Sequence, residues 1–189
     1  MAVKRLFIAI DLPVEIKKKL AGVQEVLKKR VSDKVIKWVE EENFHLNLFF
    51  LGMVEEKKIL NIVQRLKQVK QKSFSLQLSG LGFFPSQNEA RVIWVGVKNE
   101  IDQLKNIHKK IDSVLRELGF DFYREFLPHL ALGRVRRGYR ISFGENKKVN
   151  KLINQGKSFL VDRFVLFESR LSSLGPVYKT VKKFNLKNG

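Results

Sequence analysis

Cysteine is absent from this chain of 189 residues, so neither a disulfide nor a thiolate metal site is available to it. No apolar run approaches the roughly 18 residues that a membrane-spanning helix needs. Histidine occurs only three times, and no close ligand cluster such as H-E-x-x-H is present, which argues against a zinc hydrolase. These absences favour a cytoplasmic protein that is neither a zinc hydrolase nor a membrane protein.

Acidic residues are scarce relative to basic ones. The chain has 37 Lys and Arg against 19 Asp and Glu, which gives a net charge of +18 at pH 7. Such an excess attracts polyanions, of which nucleic acid is the commonest in a cytoplasm. A lysine-rich, solubilising surface is the alternative explanation of the same charge. The hydrophobic content of 44% argues against disorder, and the length suits a single globular unit.

Strands and helices are predicted to alternate, with no Pro-, Gly- or Ser-rich linker between two independent domains. The apolar patterns predict strands at 4–10, 35–38, 44–51, 73–79, 91–97, 128–136, 159–168 and 178–186, and helices at 14–30, 59–69, 99–118 and 147–155. The strands at 35–38 and 44–51 are expected to pair through an acidic turn, and 80–88 is expected to be a loop. Without a linker, the two halves must pack on each other.

The segments 45–48 (HLNL) and 129–132 (HLAL) carry the same pattern at an interval of 84 residues. Because side chains alternate along a strand, each histidine shares a face with the residue two positions on, while the leucines anchor the other face. Histidine titrates near neutral pH, at about 6.5, so two imidazoles that face one substrate can serve as base and acid. The repeat predicts a duplicated fold with one imidazole from each half in a shared cleft. His108, which lies within a helical pattern, is predicted to be a helix-face residue and not a catalyst.

The chain resembles the 2H phosphoesterases, and within them the LigT-like RNA 2′,3′-cyclic phosphodiesterases, also called 2′-5′ RNA ligases, whose signature is two H-x-T/S-x motifs. The resemblance implies an α+β, bilobal, duplicated fold, with two antiparallel β-sheet lobes around a central cleft and helices on the outside. Residues 1–189 would then form a single domain of two pseudo-symmetric lobes. The segments that carry the resemblance are Arg5–Pro13, Trp38, Asn43–Gly52, Gly82–Pro85, Arg91–Val97, Pro128–Arg134, Glu168–Ser169 and Gly175–Tyr178.

The resemblance also implies a reaction. A 2′,3′-cyclic phosphate at an RNA end is hydrolysed without a metal to a 2′-phosphomonoester, with 2′-5′ RNA ligation as the reverse-type reaction. By family analogy His45 is the proton donor and His129 the proton acceptor. The expected partner is RNA that ends in a 2′,3′-cyclic phosphate. No cofactor or membrane is expected, and the protein is expected to be a monomer that takes part in RNA processing.

The chain departs from the family pattern two residues after each histidine. The hydroxyl residues that donate to phosphate are replaced by Asn47, which can donate through its amide, and by Ala131, which can donate only through its backbone N–H. Losing one hydrogen bond to a charged group costs roughly 1.5–3 kcal/mol, so a slower enzyme is predicted rather than an inactive one. Arg134 is the nearest candidate to compensate, although strict alternation from His129 places it on the opposite face unless the strand bulges or ends.

Three further residues are candidates for RNA binding. Phe84, in the predicted loop, is expected to be exposed, where its ring could stack on a terminal base. Arg91 and Arg136 are candidates for phosphate contacts, with surface charge as the alternative. Two other functions stay open for the chain: a non-catalytic protein that binds RNA ends, and a phosphodiesterase that acts on a small cyclic nucleotide.

Overall fold

The structure is a computed structural model that describes residues 2–123, 125–156, 158–173 and 175–187. The helices are α1 (Val14–Lys28), α2 (Glu56–Leu66), α3 (Ile101–Glu117) and α4 (Lys147–Asn154). The strands are β1 (Val3–Asp11), β2 (Ile36–Trp38), β3 (His45–Glu55), β4 (Phe74–Phe84), β5 (Val92–Lys98), β6 (His129–Val135), β7 (Phe159–Val161), β8 (Arg163–Ser172) and β9 (Gly175–Asn185). Within the described ranges, no helix has both the length and the apolar character that crossing a bilayer requires.

Two antiparallel sheets are built from these strands. The first sheet has the strand order β3-β1-β8-β9, and the second has the order β2-β6-β5-β4-β7. The chain passes between the sheets several times, so each sheet contains strands from both halves of the sequence. The expected α+β fold with two antiparallel sheets is confirmed.

Helices α1 and α3 bury equivalent positions of the 84-residue repeat. At three equivalent positions each helix has a fully buried aliphatic side chain, and burial of one such side chain stabilises the fold by about 1.5–3 kcal/mol. The duplication therefore extends from the histidine motifs to the helices that support them. The buried side chains are Leu20, Val23 and Leu27 in α1 and Leu104, Ile107 and Ile111 in α3.

Strand β2 does not pair with β3, and this prediction from the sequence was wrong. A short 3-10 helix at Glu41–Asn43 separates the two strands, and β2 pairs with β6 of the other sheet. Gly133 makes this close pairing possible, because a Cβ at that position would overlap the side chains of Ile36 and Trp38. Burial of Ile36 against β6 thus replaces the local hairpin that the sequence suggested.

Two other segments differ from the sequence prediction. The segment 80–88 is not all loop, because β4 continues to Phe84 and pairs with β5, after a register shift at Gly80 that this glycine accommodates with a positive φ. The predicted strand 159–168 is divided at Asp162 into β7, which pairs with β4, and β8, which pairs with β1. A pattern of apolar residues predicts where strands form, but it does not identify the strands with which they pair.

A small apolar cluster lies on the face of the first sheet that is turned away from the main core. It consists of Phe7, Ala9, Val165 and Phe167, with Tyr178 packed against it. The rings of Phe7 and Phe167 stack with centroids 5.1 Å apart. The cluster forms an apolar floor beside the first histidine motif.

Candidate active site

The two motif strands begin at the two histidines and lie in contact with each other, one from each sheet. β3 starts at His45 and β6 starts at His129, and both side chains are half-buried. The two imidazoles are close enough to interact electrostatically. The fold therefore brings together the two histidines that the sequence pattern singles out.

Both imidazoles are held in the same way. Nδ1 of His45 lies 2.7 Å from the backbone oxygen of Asn43, and Nδ1 of His129 lies 2.8 Å from the backbone oxygen of Leu127. A carbonyl oxygen can only accept a hydrogen bond, so Nδ1 carries the proton in each ring. Nε2 is then the nitrogen that takes up or releases a proton. The motif pattern did not predict these carbonyl partners, which lie two residues before each histidine.

The surroundings of His45 favour its neutral form. Burial lowers the pKa of His45 below its usual value, and the nearby Lys17 ammonium and His129 imidazole act in the same direction. The hydrogen bond to the carbonyl of Asn43 and the carboxylate of Asp11 oppose these effects. Lys17 is itself fixed by an ion pair of 2.8 Å with Asp11. His45 therefore has a fixed cation and a fixed anion nearby.

Aromatic rings enclose both histidines. His45 meets Phe7 at 5.0 Å and the edge of Tyr178 at 5.3 Å between ring centroids. His129 meets Phe84 edge-on at 5.1 Å and Trp94 at 6.1 Å. Such packing restricts the rotation of the imidazoles, so their Nε2 atoms have defined positions.

Trp94 depends on a glycine for its place beneath His129. Its indole covers Gly82 of the neighbouring strand, and a Cβ at that position would overlap the ring. The Phe84 ring stacks on the indole at 5.0 Å. The aromatic layer at this end of the cleft therefore requires the absence of a side chain at position 82.

Each motif strand contains a bulge three residues after its histidine. In β3, Asn47 pairs with Ala9 while Phe49 pairs with Ile8, so Leu48 has no partner of its own. In β6 the partners of Trp94 and Ile93 are Ala131 and Gly133, so Leu132 is the extra residue. A bulge reverses the alternation of side chains beyond it.

Arg134 lies on the same face as His129 because of this bulge. Its partner across the ladder is Val92, which shares a face with Trp94, the partner of Ala131. Burial raises the pKa of the Tyr178 hydroxyl, and the charges of Arg134 and Arg5 lower it. Arg134 therefore faces the first sheet across the cleft. The sequence placed Arg134 on this face only if the strand bulged or ended, and β6 does bulge.

Position 50 of the first repeat is equivalent to position 134 of the second. Phe50 follows the bulge of β3 as Arg134 follows that of β6, and its ring lies 6.2 Å from Phe7 on the cleft face. The Phe50 side chain is 61% exposed, which is high for a large apolar residue. Exposed apolar side chains of this kind are informative when they adjoin a functional cleft.

The two replaced motif residues also face the cleft. Asn47 and Ala131 are half-buried, and the Oδ1 atom of Asn47 is buried without a hydrogen-bond partner among the described residues. Nε1 of Trp94 is also buried without a hydrogen-bond partner among the described residues. Trp94 pairs across the ladder with Ala131. Unsatisfied buried polar atoms are costly and rare in folded proteins, so these two call for an explanation, and a bound ligand or a catalytic role is one.

The remaining candidates from the sequence lie in different places. Phe84 is half-buried in the aromatic layer beside His129, so the prediction that it is exposed on a loop was wrong. Arg91 donates through Nη1 to the backbone oxygen of Tyr139 at 2.9 Å and braces the segment after β6. Arg136 lines a separate cavity of about 440 Å³ between α1 and β2. The structure does not bring these two arginines to the histidines.

Arg5 was missed by the sequence analysis. It lies on β1 two residues before Phe7, on the same face, and it pairs with Met53 of β3. Alternation along β1 could have placed Arg5 on the same face as residues 7 and 9, which are buried while Arg5 is exposed. Among the residues that the structure describes, neither Arg5 nor Arg134 forms an ion pair with a carboxylate.

The described part of the chain contains no group of three or more His, Cys, Asp or Glu side chains that could hold a metal ion. A second cavity, of about 750 Å³, lies between the start of α1 and β7. Its lining includes Asp11, Lys19 and Arg163, but neither motif histidine. The cleft between β3 and β6 is thus distinct from both cavities.

Comparison with known proteins gives consistent matches. The family model described as LigT like Phosphoesterase matches the chain twice, at 10–94 and at 95–178. The chain is 37% identical over 187 residues to the RNA 2′,3′-cyclic phosphodiesterase of Thermotoga maritima, covering 98% of this chain and 97% of the relative. It is 39% identical over 189 residues to the RNA 2′,3′-cyclic phosphodiesterase of Methanocaldococcus jannaschii, covering 95% and 99%.

Solved structures agree with the fold. The crystal structure of E. coli LigT complexed with 3′-AMP superimposes with a TM-score of 0.80 at 26% identity, over 99% of this chain and all of the other. The apo form of the same protein gives a TM-score of 0.80 at 24% identity. The two family-model matches meet between residues 94 and 95, within β5, so each contains one histidine motif.

Proposed function

Because the chain belongs to the LigT-like phosphoesterase family, we propose that it hydrolyses 2′,3′-cyclic phosphate ends of RNA to 2′-phosphomonoesters. The observation that carries this proposal is the matched pair of imidazoles, each with Nδ1 bound to a carbonyl and Nε2 left to exchange a proton. Hydrolysis of a cyclic phosphodiester requires a base for the attacking water and an acid for the leaving oxygen. Two histidines on facing strands can supply both.

In the proposed reaction His129 Nε2 accepts a proton from water, and the water oxygen attacks phosphorus. The bond from phosphorus to O3′ breaks, its electron pair goes to O3′, and His45 Nε2 donates the proton that makes the 3′-hydroxyl. The lowered pKa of His45 makes it a stronger acid, while the bound anionic phosphate opposes the effect of burial and keeps it protonated. A 5′-hydroxyl in place of water would give 2′-5′ ligation. No step requires a metal or a cofactor.

Arg134 is proposed as the main protein cation for the phosphate. It follows the bulge of β6, lies on the face of His129, and has no carboxylate partner among the described residues. Guanidinium groups suit phosphate because they present paired donors in a plane. The Asn47 amide and the backbone N–H of Ala131 are proposed as further donors, in place of the hydroxyl groups of the family motif.

The cleft face continues beyond the histidines in a way that favours an RNA chain over a mononucleotide. Phe50 and Met53 are 61% and 65% exposed, and Arg5 lies beside Met53 on the same face. Exposed aromatic rings next to unpaired arginines are typical of surfaces that bind single strands, since bases stack while phosphates meet the cations. We assign this surface to the nucleotides on the 5′ side of the cyclic phosphate.

Both lobes are needed for this activity, since each supplies one histidine. We therefore propose that residues 1–189 act as one catalytic domain and as a monomer, and that the protein meets its RNA substrate in the cytoplasm. Phe84 is proposed to position His129 and not to stack on an exposed base, because its ring is packed against Trp94.

The test is hydrolysis of a short RNA that ends in a 2′,3′-cyclic phosphate, with EDTA present. Native protein should give a 2′-phosphate end, and His45→Ala and His129→Ala should each lose turnover while they retain the native circular dichroism. Loss of activity in EDTA would contradict the metal-free mechanism. Binding without turnover by folded native protein would support an RNA-end binder, which the replaced motif hydroxyls favour. Turnover of mononucleotides with no response to salt would support a small cyclic nucleotide as substrate.

A further inference from the structure

A buried glutamine of the first repeat holds the motif strand of the second. Gln24 of α1 is 4% exposed, and its Nε2 donates to the backbone oxygen of Leu132 at 2.7 Å and to that of Val39 at 2.8 Å. Leu132 is the bulge residue of β6. The Leu132 carbonyl also accepts a hydrogen bond from the backbone N–H of Val39 at 2.9 Å, so Gln24 adds a side-chain partner from a helix of the other repeat.

A histidine of the second repeat reaches the equivalent residue of the first. His108 of α3 lies beside the backbone of Leu48, the bulge residue of β3; burial lowers the pKa of His108, and the Leu48 carbonyl acts in the opposite direction. Its ring is stacked between Phe49 at 4.2 Å and Phe126 at 3.9 Å, with interplanar angles of 15° and 12°. Phe126 directly precedes Leu127, whose carbonyl binds His129.

Gln24 and His108 occupy equivalent positions in the duplication. They are separated by the same 84 residues that separate the motif histidines, the bulge leucines and the buried aliphatic positions of α1 and α3. Each side chain reaches from its own repeat to the motif strand of the other. An unrelated pair of polar residues would not be expected to share the 84-residue interval, to contact the bulge residue of a motif strand and to do so in the opposite repeat.

We propose that Gln24 and His108 are positioning residues that set the geometry of the opposite motif strand. They act through the bulge carbonyls, which lie three residues after each catalytic histidine and two residues before Phe50 and Arg134. This proposal rests on the proposed function, because it assigns the two residues a role in that reaction. Displacement of reacting groups by about 1 Å can cost on the order of a hundredfold in rate.

The alternative is that both side chains only satisfy buried carbonyls. Gln71 provides a matched control for that role, because it is 5% exposed and hydrogen-bonds through Nε2 to Gln103, with no contact to either motif strand among its described hydrogen bonds. Gln71→Met removes a buried amide of the same size elsewhere. If satisfaction of buried groups is all that matters, Gln71→Met and Gln24→Met should have the same effect on catalysis.

The test combines kinetics with NMR of the imidazole nitrogens, which is simple because the chain has three histidines. Gln24→Met should lower kcat about 10- to 100-fold with KM changed less than about threefold, and should move the Nε2 resonance and titration of His129 while those of His45 stay. His108→Leu should move those of His45. His108→Gln, which places the residue of the equivalent position there, should restore most of kcat.

Several outcomes would overturn the proposal. These are unchanged imidazole resonances of both motif histidines in Gln24→Met, an equal loss of kcat in Gln71→Met, or His108→Gln no better than His108→Leu. If His108→Leu does not fold, the effect of Gln24→Met on His129 decides the matter alone. If native protein does not turn over the RNA, the proposed function fails, and the imidazole spectra still show whether the two residues position the motif strands.

Discussion

Replacement of Arg134 tests the link between the β6 bulge and phosphate binding. Arg134 reaches the cleft face only because Leu132 is inserted in the strand, and it has no carboxylate partner in the described part of the chain. Arg134→Met keeps most of the aliphatic stem and removes the guanidinium. No internal ion pair is lost, so the change should affect substrate binding and turnover far more than folding.

The size of the effect follows from the exposure of this side chain. A hydrogen bond to a charged group contributes about 1.5–3 kcal/mol, but Arg134 is exposed, so water screens it and the lower part of that range applies. About 1.5–2 kcal/mol corresponds to a loss of roughly 10- to 30-fold in kcat/KM. The assay is initial-rate hydrolysis of an RNA with a 2′,3′-cyclic phosphate end at fixed salt.

Arg136→Met is the matched control, because Arg136 lies two residues further along and lines a different cavity. It should change kcat/KM less than about threefold. Equal losses in the two variants would mean that general positive charge, and not a residue placed by the bulge, binds the substrate. An unchanged kcat/KM in Arg134→Met would refute the reasoning from the bulge.

Three other predictions concern the cleft. Ala131→Ser should raise kcat/KM about tenfold or more, because it returns a hydroxyl donor to the cleft face, and an unchanged or lower rate would show that the position has no contact with the phosphate. Gly82→Ala should displace the Trp94 indole from beneath His129 and lower kcat by at least about tenfold with little change in secondary structure, as kinetics and circular dichroism would show. Burial lowers the pKa of His45, and the proposed donor must be protonated, so kcat/KM should fall as pH rises through a value below the usual histidine pKa of about 6.5. The alkaline limb of kcat should lie at higher pH, because bound phosphate favours the imidazolium. An alkaline limb of kcat/KM at or above the usual histidine value would contradict His45 as the donor.

The sequence correctly predicts which side chains share a face with each motif histidine as far as the bulge of its strand, but not beyond the bulge. Alternation places His129 and Ala131 together because it depends only on strand geometry. The insertion of Leu132 depends on how β6 matches β5, which is a property of the partner strand. For that reason alternation alone does not determine the face of Arg134, and it does not predict the exposure of Phe50 at the equivalent position.

Pairing errors have the same physical origin. Ile36 has the apolar character of a strand residue, and the acidic turn after it is typical of a hairpin, but neither feature says which sheet will bury the side chain. The structure buries Ile36 against Gly133, 97 positions away in sequence. Phe84 likewise lies among glycines that suggest a loop, yet Gly82 serves to admit the Trp94 ring. Local sequence patterns cannot predict contacts between residues so far apart in the chain.

The duplication also separates what is symmetric in this protein from what is not. Backbone features recur at 84 residues: the carbonyl that binds each Nδ1, the bulge after each histidine and the buried positions of α1 and α3. Side chains at equivalent positions differ instead, as with Phe50 and Arg134. A cyclic phosphate has an entering and a leaving oxygen, so its two sides need different chemistry, an acid on one and a base on the other. A symmetric backbone with unlike side chains meets that need, and the differences between the repeats are therefore where substitutions should separate the two roles.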